Sequence, residues 1–119
     1  MKSYTDLEQS KKLAEILPLE SADMYYSHEF VNSAGDYYKI NIALDGYFDD
    51  EELGSDIPCW SITALLSVLD FPSLTQNKED EWEVCVFDHD NDNYIEKTAS
   101  NPVDACYEMI IKLHEMNLL

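Results

Sequence analysis

The chain has 119 residues, 45% of them apolar, with 8 Tyr, 4 Phe and 2 Trp. That is enough to bury roughly two-thirds of the unfolded surface in a single domain spanning 1–119, and it argues against disorder. Its 25 acidic residues face only 7 lysines and no arginine, giving a net charge of −18. This excludes direct binding to nucleic acid or an anionic membrane, both of which need a basic patch, and it points to a basic protein or a cation as partner.

The three cysteines, Cys59, Cys85 and Cys106, are widely spaced and sit among apolar neighbours. They read as reduced, structural thiols of a cytoplasmic protein. Met1-Lys2-Ser3-Tyr4-Thr5-Asp6 leads straight into a polar helix, so no secretory leader is expected, and no apolar run approaches the ~18 residues of a membrane span.

Thr5-Asp6-Leu7-Glu8 has the form of a capping box, with Thr5 as N-cap and Glu8 reaching back. The helix it opens is predicted to run to about Leu17, where Pro18 stops it. Its apolar face is narrow, which suggests peripheral packing. Residues 22–31 read as a strand with Met24, Tyr26, His28 and Phe30 on one face. Residues 32–36 carry turn chemistry, and Tyr37 to Leu44 form the return strand. Residues 46–56 are a loop whose run Asp49, Asp50, Glu51 and Glu52 forms an acidic bulge. In the stretch Ile57 to Leu69, Ser61 is the expected N-cap, and Ile62, Leu65, Leu66 and Leu69 give a broad apolar face. Pro72 ends that region, and Thr75 to Asp80 is a polar connection.

Trp82, Val84 and Val86 alternate with Glu81, Glu83 and Cys85, which predicts a half-buried strand. Asp88 to Asn93 is a tight turn and Tyr94 to Ala99 a return strand at a sheet edge. The tail is the clearest helix: Asn101 caps it, Pro102 takes its first position, and Val103, Cys106, Ile110 and Leu113 share a face. Asp104 sits where the helix dipole favours an acid, and Glu108 precedes Lys112 in the favourable i,i+4 order. The expected class is α+β: order α-β-β-α-β-β-α, with an antiparallel sheet of about four strands packed with three helices as a sandwich.

Several stretches together, Tyr4 to Glu15, Ile57-Pro58-Cys59-Trp60-Ser61-Ile62 with Leu65-Leu66, Trp82-Glu83-Val84, and Asn101 to Cys106 with Ile110 to Glu115, resemble short acidic proteins of Bacteroides-type prophages and mobile elements. The likeness covers both ends and the centre and is poor over residues 25–56. In layout the second half is also similar to the phage α-β-α sandwich domain family. The resemblance implies a helix-sheet-helix sandwich in a phage or mobile-element accessory protein, with no activity, cofactor or site residue to carry over.

Three local chemistries stand out. Asp88, Asp90 and Asp92, followed by Asn93 and Ile95, imitate the opening of a calcium loop, but Ala99 stands where a bidentate Glu is needed. A plain hairpin turn is the simpler reading, with weak calcium or magnesium binding as the alternative. The acids Glu79, Asp80, Glu81 and Glu83, extended by Asp49 to Glu52, form a candidate protein-contact surface, and a DNA-mimic role against a basic nucleic-acid-binding protein is a second possibility. No enzyme is expected: His28, His89 and His114 are isolated, and His114 stands eight residues from Cys106, ~12 Å along one helix. The pairs Tyr25-Tyr26 and Tyr37-Tyr38 each place one ring on each face of a strand.

Overall fold

The computed structural model describes residues 1–31, 35–43, 47 and 56–119, and the side chains of 28–31 and 35–37 are outside the description. The chain is α+β, with three helices and two three-stranded antiparallel sheets among the described residues. In order the elements are α1 (Leu7–Ala14), a 3-10 turn (Leu19–Ser21), β1 (Met24–Val31), β2 (Gly35–Ile42), β3 (Ile57–Cys59), α2 (Ile62–Val68), β4 (Ser73–Gln76), β5 (Trp82–Asp88), β6 (Asn93–Ala99) and α3 (Pro102–Glu115).

The expected single sheet of about four strands is therefore replaced by two sheets, ordered β2-β1-β3 and β4-β5-β6. The two added strands are β3 and β4, of three and four residues, too short to display a period of two in sequence. Helix α1 also starts one residue later than the Thr5–Glu8 box implies. Its N-cap is Asp6, which accepts from the Gln9 amide at 2.8 Å, while the Gln9 side chain accepts from the Asp6 amide at 3.2 Å. The helix ends at Ala14, short of Leu17, with residues 15–17 in a looser turn before Pro18.

Thr5 is displaced from capping because it is buried for another purpose. Its hydroxyl bonds the Ser10 hydroxyl at 2.8 Å, accepts from the Trp60 amide at 3.2 Å and lies 3.5 Å from the Cys59 sulfur. Residues 3–5 run antiparallel to residues 60–62, joined by Thr5 N to Trp60 O at 3.0 Å and Ile62 N to Ser3 O at 3.2 Å. This pins the chain start against the entry to α2.

Helix α2 begins where expected. The Ser61 hydroxyl accepts from the Ala64 amide, and the Ser61 amide and hydroxyl both bond the Asp23 carboxylate, tying α2 to the start of β1. In α3 the Asn101 side chain accepts from the Asp104 amide at 2.9 Å. Its far end closes as a Schellman turn: Leu118 N bonds Leu113 O, Asn117 N bonds His114 O, and Asn117 takes a left-handed φ of 60°. Glu108 and Lys112 make no ion pair; the pairs among the described residues are Lys2–Asp6, Lys2–Asp104 and Lys12–Glu15.

The core joins both halves of the chain. Leu13 and Leu17 meet Trp60, Leu65 and Leu69 from the α2 region, Val84 and Val86 from β5, and Val103, Cys106, Met109, Ile110 and Leu113 from α3. Fully burying one such aliphatic side chain contributes about 1.5–3 kcal/mol, against at most ~1 kcal/mol for an exposed pair such as Lys12–Glu15, so the core decides the fold. Helix α3 packs on the face of the second sheet that carries Val84 and Val86, and α2 packs against α3. Among the described residues no helix is long and apolar enough to cross a membrane.

Candidate functional site

One face of the β4-β5-β6 sheet is under helix α3 and the other meets solvent, and the alternation of β5 decides which side chain goes where. Val84, Val86 and Asp88 are buried, whereas Glu83, Cys85 and Phe87 point the other way and are half-buried. Their cross-strand partners on β6 are Thr98, Glu96 and Tyr94, all exposed, and on β4 Thr75 stands opposite Glu83 and Ser73 opposite Cys85. Among the described residues the expected sandwich is two layers here, with helix on one face of this sheet, and β6 is an edge strand as expected.

This uncovered face has two chemical zones. In the middle, Cys85 has Glu96 directly opposite it on β6 and Glu83 two residues before it on β5. Burial, reinforced by the charges of Glu96 and Glu83, raises the Cys85 thiol above its ordinary range. Toward the β5–β6 turn the surface becomes aromatic. The rings of Phe87 and Tyr94 meet edge to face with centroids 5.0 Å apart, and the His89 ring stands edge-on to Phe87 at 4.8 Å. Tyr94 is 64% exposed. Phe71, 92% exposed, adopts a left-handed φ of 47° two residues before β4, at the same end of the sheet.

The anticipated site residues are distributed unevenly around this face. Asp49, Asp50, Glu51 and Glu52 lie outside the described residues. Glu79 and Asp80 are exposed on the β4–β5 turn, where the Asn77 carboxamide accepts from the Glu79 and Glu81 amides. Glu81 is half-buried at the start of β5, and Glu83 alone of the four lies on the uncovered face. Asp90 and Asp92 are exposed on the β5–β6 turn, at the opposite end of β5. Seven strand residues separate the two acidic turns by roughly 20 Å.

Asp88 is committed to the turn it opens. It is 5% exposed, one oxygen accepts from the Asp90 and Asn91 amides, and the other accepts from the Asn91 side chain at 2.7 Å. The Asn91 hydrogen bond leads the interactions that hold its carboxyl below the usual range. A calcium ion would have to take both oxygens from their present donors, and no cluster of three or more acidic, His or Cys side chains among the described residues is arranged to hold a metal. Beside Asp88 lies a crevice of about 260 Å³ between the ends of α2 and α3, floored by Leu69, Val86, Leu113 and Leu118.

Burial raises all three thiols above their ordinary range. Burial pushes Cys106 up to about 12 and raises Cys59 against the hydrogen bonds from Thr5, Ser10 and Tyr26. Of the tyrosine pairs, Tyr26 donates to the Thr5 carbonyl at 2.7 Å and Tyr25 stacks on Tyr47 with centroids 4.2 Å apart. Tyr38 is 37% exposed.

The aromatic end of the sheet is absent from the sequence-based site. The same alternation that predicts Val84 and Val86 as inward places Phe87 outward, so the signal was present at Phe87. The positive φ of Phe71 had no local sign. No protein-family model matches the chain, and neither the curated proteins nor the solved structures give a significant match.

Proposed function

We propose that this chain is a non-catalytic accessory protein of a phage or mobile element, acting in the cytoplasm by contact with a basic protein. The observation that carries this reading is unneutralised charge. Of seven lysines, only Lys2 and Lys12 enter ion pairs among the described residues, while the net charge is −18. A field of that size steers a cationic partner toward the surface and weakens as salt is added. The burial that raises all three thiols disfavours the nucleophilic thiolate and supports the non-catalytic part.

A DNA mimic is one form of the same reading, in which the carboxylates of Glu79, Asp80, Glu83 and Glu96 occupy phosphate positions on a nucleic-acid-binding protein. The protein, immobilised and washed with bacterial lysate at low ionic strength, is expected to retain a basic protein that high ionic strength releases. Displacement of that protein by excess duplex DNA selects the mimic. Retention of no basic protein at low ionic strength refutes the proposal.

A further inference from the structure

We propose that the uncovered face of the β4-β5-β6 sheet is the docking surface for a lysine- or arginine-bearing segment of another protein. In this assignment one cationic side chain lies on the Phe87–Tyr94 ring pair and its neighbours pair with Glu83 and Glu96. The assignment rests on the basic-partner reading above and adds the place and the mode.

Two observations converge on this face. The first is shape: a sheet with helix α3 on one side leaves a pleated surface on the other, along which β5 and β6 side chains stand in two rows. The second is chemistry. An aromatic zone made of Phe87, Tyr94 and His89 adjoins a carboxylate zone made of Glu83 and Glu96, and a guanidinium or ammonium on an alkyl stem suits both, stem on ring and charge on carboxylate. Among the described residues, no lysine stands at the strand positions of this face, which are Ser73, Thr75, Glu83, Cys85, Phe87, Tyr94, Glu96 and Thr98.

The test uses the full chain, labelled with nitrogen-15, titrated with a synthetic peptide of alternating arginine and valine at low ionic strength. A glutamine-valine peptide serves as the uncharged control. Amide shifts are expected to concentrate on residues 83–87 and 94–98, with none from the control peptide. Tyr94→Ala should weaken binding roughly three- to five-fold without lowering Tm, because that ring is mostly in water. Glu83→Gln with Glu96→Gln should weaken it further and flatten its salt dependence, whereas Glu8→Gln with Glu115→Gln should change it by less than about two-fold. Shifts centred on another surface, or undiminished binding by Tyr94→Ala, overturn the docking assignment while leaving the basic-partner reading intact. No binding of the arginine peptide at any salt concentration overturns both.

Discussion

Asp104 shows how much one side chain can carry when three donors converge on it. Lys2 Nζ lies 2.8 Å from its Oδ1, the Gln9 side chain donates to the same oxygen, and the Asn101 side chain donates to Oδ2. Partial burial works against ionisation, but these hydrogen bonds hold the carboxyl below its ordinary range, and Asp6 is lowered in the same way beside Lys2. A carboxylate depressed in the fold stabilises it above the unfolded value, about 3.9, and the contribution is lost as pH falls through the folded value. Asp104→Asn should therefore cost about 1 kcal/mol at neutral pH in urea unfolding, and the gap from the parent should close below about pH 4. A gap that persists in acid would assign the loss to packing. Thr5 makes a complementary point, since a residue with the chemistry of a cap is used as a buried hydrogen-bonding hub between Ser10, Cys59 and Trp60.

Among the elements, the two packed helices are started differently. The Asn101 cap of α3 serves its own helix: its side-chain oxygen takes the Asp104 amide, and its amide nitrogen reaches the Asp104 carboxylate in the first turn. Ser61 caps α2 and also receives Asp23, so the same side chain fastens a helix to the first sheet. Asn101→Ala should cost about 1 kcal/mol, the usual value of an N-cap. Ser61→Ala should cost about twice that, because it also leaves an Asp23 oxygen without its partner. Urea denaturation of the two variants measures the difference, and equal losses would mean that the Asp23 link adds nothing. The sheets differ as well: β1 and β2 pair over eight residues, but β3 supports only Met24 to Tyr26, so the rest of the hairpin is two strands wide among the described residues.

The whole molecule is longer than a compact globule of its size. Its radius of gyration is 15.6 Å and its extents are 53 × 33 × 23 Å, against ~13–14 Å for a round domain of this length. An extended shape spreads like charges apart, which eases but does not remove the repulsion implied by −18. Raising sodium chloride from a few millimolar to about 0.5 M shortens the Debye length from tens of ångströms to a few. The melting temperature should rise by several degrees over that range and rise equally in choline chloride. A rise specific to one cation would indicate bound ions in place of screening.

The sequence alone determined the pieces whose forces are local. Helix α3 is visible because its cap, its proline and its three- and four-residue apolar spacing all lie within sixteen neighbours, and the β5–β6 hairpin because period-two alternation and a polar turn adjoin. The Ser61 start of α2 was legible for the same reason. The tertiary structure decided what depends on distant chain. It moved the α1 cap to Asp6 by burying Thr5 under Trp60, and it raised the three residues of β3 and the four of β4 to strands by giving them partners. It divided the strands into two sheets, and by laying α3 on one side of the second sheet it left Tyr94 mostly in water. Alternation tells a residue only that it is opposite its neighbour; which side is covered is set by where α3 can close over Val84 and Val86, and no local pattern contains that.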